Sequence, residues 1–567
     1  MGPIPVCNAR TGTAGVASGH ALATEAGIKA LRLGGSAVDA ALASAFTQWV
    51  VNAPQCGPGG ELVALVAAPG TGDGTGEDFV GEDFGGGDVV GGGITVYGGW
   101  SNAPLALAPS GTSEPSGAPE PSGTPAETNS RGNSGSGANS GNSDSGGRSD
   151  SGGGGTDSRG GGPRNSAFGP RNAVVPGALR GAEAAWNEHG KLSWASLFEG
   201  ALAAASGHAV TPRMAEVYGL VQDRGHTEAL ERILGSRRAP DAGAVIRMPR
   251  LASTLEWVAS QGADVFYTGG LAEELVAAAA SDGAALSLDD LAAVRASIEP
   301  ARRFELDDVV MWVTPAPSQA AIVAALLNAV PADADPAARS FAEAVAPLTE
   351  QQLTEFCVDG PGPGPGRRHG TAVSTAVDRS GLSVTVVHSL AEVQFGTGWV
   401  AGDTGVAFSN RVGTALSQRA DLPGCNPVPG GVLPHTLSAA HVRRRGSAGW
   451  VTLATPGGDR QVQWLAQAIQ RFRRGGDAAE IAAGPRWFVC PSGDRFGVPA
   501  GIGEPWYAFA EPGIAWHNDD EVAGYEVRRV ENVGGGLQLT LSDSAADNGG
   551  GVTLASDPRS GGAAQSV

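Results

Sequence analysis

The chain has 567 residues, with 38 Lys and Arg against 58 Asp and Glu, a formal net charge of −20 at pH 7. That sign argues against nucleic acid or an anionic membrane as partner and for a soluble protein. No stretch approaches the ~20 apolar residues of a membrane span.

Residues 1–10 lack the basic and apolar regions of a signal peptide, so a cytoplasmic location is expected. The five cysteines are scattered at Cys7, Cys56, Cys357, Cys425 and Cys490, with no Cys-x-x-Cys pair, and the nine histidines show no metal-binding spacing. Free thiols, no metal and no cofactor are expected.

Two helices are expected across 16–50, broken at Gly34-Gly35, with Ser36 and Asp39 as a capping box for the second. A strand follows at 61–67, after the cluster Cys56-Gly57-Pro58-Gly59-Gly60-Glu61, read as a tight turn. From about 69 to 165 the composition collapses to Gly, Ser, Asn, Asp and Pro, too apolar-poor to offset chain entropy. A disordered insertion is expected there, at about 105–165, after one island at 94–104 that reads as strand and loop. Helices are then expected at about 178–186, 193–207, 211–220, 250–261, 270–281 and 288–294, with a strand at 309–314 and a buried helix at 319–330. A Pro-Gly linker at 361–366 leads into a β-rich part, with strands at 371–377, 382–389, 406–409 and 451–454 and a helix at 461–473.

The linker ends at His369-Gly370-Thr371-Ala372-Val373-Ser374. Glycine leaves its carbonyl unhindered and tolerates a strained backbone, and the next residue carries a β-hydroxyl able to attack that carbonyl. If the Gly370–Thr371 bond breaks, the new α-amine of Thr371, with a reference pKa of about 7.7 to 8.0, can serve as general base for its own hydroxyl. Taken alone, a threonine opening an ordinary strand is the plainer reading.

Further motifs change that balance. Phe395-Gly396-Thr397-Gly398, Ser409-Asn410-Arg411, Pro434-His435-Thr436-Leu437-Ser438 and Thr455-Pro456-Gly457-Gly458-Asp459 follow in order. Upstream stand His20-Ala21-Leu22-Ala23-Thr24-Glu25, Leu33-Gly34-Gly35-Ser36-Ala37-Val38-Asp39, Val175-Pro176-Gly177 and Phe266-Tyr267-Thr268-Gly269, and Ser556-Asp557-Pro558-Arg559 lies near the end. Together they resemble the γ-glutamyltransferase family of N-terminal-nucleophile hydrolases over most of the chain except roughly 70–165.

The resemblance implies an α+β fold, a four-layer αββα sandwich. It implies a precursor cut at Gly370–Thr371 into a large chain (1–370) and a small catalytic chain (371–567), which stay together as a heterodimer. Thr371 is then the nucleophile for cleavage and for catalysis through an acyl-enzyme. Gly457 and Gly458 would supply oxyanion N–H donors, and Ser389 would hydrogen-bond the nucleophile. Asn410 and Arg411 are candidate pocket residues, with a turn amide and an exposed guanidinium as the plainer alternative. His435 and Thr436 stand where glutathione-cleaving members place two substrate-contacting serines, while His388 should face the opposite side of its strand.

Two departures bear on substrate. Trp100 occupies the position of the arginine that grips the glutamate α-carboxylate, and an indole cannot make that bidentate pair. The residue expected to hold the α-amino group falls on Gly413 or Thr414. The expectation is therefore a self-processing hydrolase or acyltransferase for a small molecule other than a plain γ-glutamyl amide. A biosynthetic role is expected, like that of family members that deacylate β-lactam nuclei or process alkylproline antibiotic precursors by cleaving an oxalyl C–C bond. A conventional γ-glutamyl hydrolase or transpeptidase and an unprocessed pseudoenzyme acting as a binding protein are the alternatives.

Overall fold

Runs of small and β-branched residues on either side of Asp378-Arg379-Ser380-Gly381 pair as an antiparallel hairpin, His369–Val377 against Ser383–Glu392. Gly381, at φ +86°, supplies the left-handed residue of its turn. The Asp378 carboxylate accepts from Ser380 N (2.8 Å) and from Ala37 N at a helix start (3.0 Å), tying hairpin to helix. The computed structural model describes residues 7–69, 93–107, 168–356, 369–392, 394–412, 428–491, 506–514, 516, 521–542 and 551–567. The expected insertion and the Pro-Gly linker lie almost wholly outside them, as do Gly413 and Thr414.

The hairpin is the middle of a seven-stranded antiparallel sheet. Its order is Ala563–Ser566, Gly15–Ser18, His369–Val377, Ser383–Glu392, Glu61–Ala67, Ile94–Gly99 and Ser297–Pro300. A second antiparallel sheet of seven runs Asn8–Gly12, Val552–Ser556, Gln538–Ser542, Trp450–Ala454, Ala439–Arg444, Val309–Val313 and Arg302–Glu305. The sheets pack face to face through Val63, Leu65, Val373, Val387, Leu437 and Ala454. Hydroxyls bridge them as well, Thr375 to Thr540 (3.1 Å) and Ser383 to Thr452 (3.1 Å).

Helices cover both outer faces. Ala37–Val51 is buried along its whole length against the first sheet, and its Gln48 donates to Val373 O (3.1 Å) and Ser374 Oγ (2.8 Å). On the second sheet, Ile322–Asn328, Gln461–Arg473 and Ala478–Ala483 close the other core. The result is the expected α+β fold in four layers.

The Ser36–Asp39 capping box forms. Three expectations need correction. Residues 15–18 are a strand, too short for its period to show, rather than the start of a helix. Helices Thr227–Leu234 and Arg339–Phe356 were not foreseen; the second carries Pro347 inside it, a residue that reads as a breaker. The cluster Gly57–Gly60 is more than a turn. A Cβ on Gly59 would lie 2.1 Å from Ala407 O and one on Gly60 2.0 Å from Ser389 O, so these glycines let two backbones touch.

No helix among the described residues is long and apolar enough to cross a membrane. The described cysteines Cys7, Cys56 and Cys490 are free.

Candidate active site

The hairpin is irregular where the sequence pointed. Gly370 pairs with Ala391 and Thr371 with Ser389, so Leu390 is an extra residue and the register shifts between Gly370 and Thr371. Leu390 is held off the ladder by Gln55 O, which accepts from its N–H (3.0 Å), and by Asn410 N–H, which donates to its carbonyl (3.2 Å). Ala391 sits at φ +65° beside it, a costly conformation for a residue with a Cβ. A Cβ on Gly370 would fall 2.6 Å from Glu392 O, so only glycine fits before the threonine.

Thr371 is 3% exposed. Its Oγ1 donates to Ser389 Oγ at 3.3 Å, and Ser389 Oγ donates to the carbonyl oxygen of Gly370. Ala391 N–H donates to Ser389 Oγ at 2.8 Å and fixes its position. The threonine hydroxyl and the carbonyl before it thus share one serine.

Thr371 lines a cavity of about 80 Å³ together with Gly457. Gly457 lies at φ +148° and precedes the turn Gly458–Arg460, which packs on the Thr371 strand. A Cβ on Gly457 would meet the Trp464 ring at 2.3 Å. Neither the Gly457 nor the Gly458 N–H reaches an acceptor among the described residues. Gly457 shares the cavity wall with Thr371, Gly458 follows it in the chain without lining that wall, and adjacent unengaged amides of this kind are what an oxyanion requires. Gln319 Nε2 donates to Gly458 O (2.9 Å) and to Thr436 O (3.3 Å), tying the turn to the Thr436 segment.

The rest of the cavity wall includes His20, Gln48, Asn52, Arg213, Arg460 and Gly534–Gly536. His20 caps its helix by accepting Leu22 N–H on Nδ1 (3.2 Å), and burial, helped by His208, pulls its pKa down to about 4. Behind Trp464, the Asp557 carboxylate pairs with Arg486 and with Arg559 (3.0 Å), and Arg559 pairs with Glu511 (2.6 Å). This buried network accounts for the Ser556–Arg559 motif as wall support.

The remaining predicted residues gather elsewhere. Thr371 pairs with Ser389 and Ser389 with Glu61, so their side chains share the face toward the second sheet, with Trp100 next in the row. Glu61, completely buried, pairs with Arg411 at 2.8 Å. Ser101 Oγ approaches Glu61 at 3.4 Å and His435 Nε2 at 3.1 Å. His435 Nδ1 bonds Leu433 O (2.5 Å), and burial together with Arg411 holds its pKa well below the usual imidazole value. Trp100 packs on His435 with ring centroids 5.0 Å apart and donates to Ser297 Oγ (3.0 Å).

Arg411 is therefore not the exposed guanidinium of the plainer reading. Trp100, Asn410, Arg411, His435 and Thr436 do not line the Thr371 cavity. His388 faces the helix layer, accepting from Trp49 Nε1 at 3.2 Å. Sequence reasoning missed His20, Arg213, Arg460 and Trp464, and missed Glu61 as the partner of Arg411. Glutamate inside a run of strand apolars was the one signal available for that pair. No group of three or more His, Cys, Asp or Glu able to hold a metal occurs among the described residues.

Solved structures share the fold. A cephalosporin acylase from Bacillus halodurans superimposes with a TM-score of 0.71, covering 99% of this chain and 96% of that one at 19% identity. LmbA2991HD does so with 0.72, covering 99% of each at 20% identity. Among curated relatives, the oxamate amidohydrolase proenzyme of Klebsiella pneumoniae is 32% identical over 294 residues, 44% of this chain and 53% of that protein. The human glutathione hydrolase 5 proenzyme is 34% identical over 158 residues, 27% of each. The chain thus spans about half the length, or less, of the curated relatives it matches. The family model described as Gamma-glutamyltranspeptidase matches residues 23–81, 156–355 and 339–567, and the chain belongs to that family.

Proposed function

We propose that the chain is a self-processing amidohydrolase or acyltransferase with Thr371 as its N-terminal nucleophile. The observation that carries this is the shared serine: Thr371 Oγ1 donates to Ser389, and Ser389 donates to the Gly370 carbonyl. Polarising that carbonyl favours attack by Thr371 Oγ1 on Gly370 C. The peptide bond becomes an ester, the α-amine of Thr371 is released, and water then hydrolyses the ester to free the Gly370 carboxylate.

In the processed protein the α-amine takes the Thr371 hydroxyl proton as Oγ1 attacks a substrate amide carbonyl. The oxyanion is stabilised by the Gly457 and Gly458 N–H groups. Collapse expels the amine, protonated by the α-ammonium, and leaves an acyl ester on Thr371. Water, or an amine acceptor, then takes the acyl group. No metal or cofactor enters these steps, and the two halves remain one heterodimer.

The named activity of one curated relative, oxamate amidohydrolase, supports acyl transfer from an amide; a biosynthetic role is part of the same proposal. Cleavage of an oxalyl C–C bond by the same attack is the finer form of this reading. A conventional γ-glutamyl hydrolase is the second reading, favoured by the matches to glutathione hydrolases. Against it, Trp100 is no carboxylate anchor and Arg411 is committed to Glu61.

Intact mass under denaturing conditions tests the proposal. Two fragments meeting at Gly370–Thr371 are expected, with Thr371→Ala left whole. A single 567-residue species in fresh and aged samples would refute it. Turnover of a γ-glutamyl anilide would bring the second reading forward.

A further inference from the structure

Glu61 and Arg411 form a buried ion pair that takes no direct part in the cleavage chemistry. Their side chains are 0% and 5% exposed, and Glu61 opens a strand whose other residues are all apolar. A buried pair of this kind adds little over apolar residues of the same volume, and its best-attested use is to fix register. The register beside it is the one on which self-cleavage depends. Glu61 pairs with Ser389, and the next residue, Leu390, is the one that bulges out of the hairpin.

Two segments hold that bulge, and the ion pair joins them. On one side, residues 59–61 lie against it: a Cβ on Gly60 would stand 2.0 Å from Ser389 O and 3.2 Å from Leu390 Cδ2. On the other side run residues 408–411. Phe408 bridges to Gly59, and Ser409 N–H donates to Gly59 O (3.0 Å). Asn410 N–H then donates to Leu390 O (3.2 Å), the bond that turns this carbonyl out of the ladder. Arg411 follows and closes on Glu61 at 2.8 Å. The Asn410 amide is thus fixed from both neighbours, and a charge-assisted bond is directional where an apolar contact would let the segment slide. With Leu390 in place, Ala391 N–H reaches Ser389 Oγ (2.8 Å), the atom that lies between the Thr371 hydroxyl and the Gly370 carbonyl.

On the reading that Thr371 cuts the chain, we propose that Glu61 and Arg411 are positioning residues for self-cleavage. The pair aims the Asn410 amide at Leu390 O and so holds Ser389 in register with the scissile bond. Val412, buried with Ala103, Val174 and Leu433, keeps the segment packed when the pair is replaced.

Glu61→Gln/Arg411→Met separates this role from a merely structural one. In a Thr371→Ala background its urea midpoint should lie close to that of Thr371→Ala alone. With Thr371 present, intact-mass time courses should show cleavage slowed about 10- to 100-fold, the scale of a misplacement of about 1 Å. Arg411→Lys, which keeps a cation opposite Glu61, should cleave faster than Arg411→Met. Hydrogen exchange reads the bulge without any cleavage. In Thr371→Ala the double substitution should speed exchange of the Leu390 and Ala391 amides at least about tenfold, while Val384 to Val387, paired on both sides, stay protected. Cleavage at the wild-type rate, slowing that only follows lost stability, no rescue by lysine, or unchanged exchange at Leu390 and Ala391 would each overturn the inference. A wild-type chain that never cleaves, with those amides freed by the double substitution, would sink the self-processing reading and leave the clamp on the bulge standing. A wild type that cleaves, with neither response in the variant, would do the reverse.

Discussion

Two polar centres lie on one row of the first sheet, and they are built on opposite plans. Around Glu61 the groups bond one another: Glu61 to Arg411, Ser101 to His435, His435 to Leu433 O. Around Thr371 donors are left over: the amides of Gly457 and Gly458, Nε1 of Trp464 and Nε2 of His20. A largely satisfied buried network rigidifies, with only Arg411 Nε lacking an acceptor in the Glu61 cluster among the groups just named, whereas free amide donors beside a nucleophile can serve an oxyanion. The closed centre therefore reads as structure and the open one as chemistry, although sequence motifs had assigned both to substrate.

The largest effect that could break this contrast lies in the closed centre. Glu61→Gln leaves the Arg411 guanidinium buried without a counter-ion, which costs about 3–5 kcal/mol. Urea midpoints should fall accordingly, and Glu61→Gln/Arg411→Met should regain most of the loss. A single variant within about 1 kcal/mol of wild type would mean the cluster is hydrated and open, and the contrast would collapse. Next comes Gly457→Ala. The methyl would run into the Trp464 ring and twist the two amide donors away, lowering kcat roughly 10²- to 10³-fold. Unchanged turnover in the processed protein would remove the turn from the oxyanion role.

Why was one centre easier to read than the other? The fold was legible where period or capping chemistry repeats, as in the fully buried helix Ala37–Val51 and the strand Glu61–Ala67. Thr371, Gly457 and Ser389 were legible because each needs its residue type for a local reason: a β-hydroxyl, a missing Cβ, a short donor. His20, Arg213, Arg460 and Trp464 were not, because they meet Thr371 only through tertiary packing of three segments remote from it in sequence, Arg460 and Trp464 sharing one. Nothing in the spacing from His20 to Thr371 announces that they share a wall. Arg411 was misjudged for the same reason, since its partner lies 350 residues away.

Ser389→Ala separates cleavage from catalysis and ranks third. It removes the donor on the Gly370 carbonyl and the acceptor of the Thr371 hydroxyl, so intact-mass time courses should show cleavage slowed about 10- to 100-fold. Cleavage at the wild-type rate would break the serine relay and leave only the bulge to activate the bond.

The smallest effect compares the helix-facing side of the first sheet with the second sheet through pH. Burial holds His388, under the helix layer, and His441, beside Thr452 in the second sheet, at pKa values of about 3, with Arg443 adding to the shift at His441. Both are neutral in the folded chain and titrate near 6.5 when unfolded. Between those values the unfolded state binds more protons, so stability is fully present above about pH 6.5 and falls as pH drops toward 3. From pH 7 to 6 the loss is less than about 1 kcal/mol per imidazole, steepening toward about 1.4 kcal/mol per pH unit below that. Urea midpoints at a series of pH values measure the slope. His388→Phe leaves the Trp49 N–H without its acceptor and lowers stability at every pH, but it should flatten the acid slope by one proton. An unchanged slope would mean that the folded protein already admits a proton at His388, and that the helix-facing layer is less dry than its packing implies.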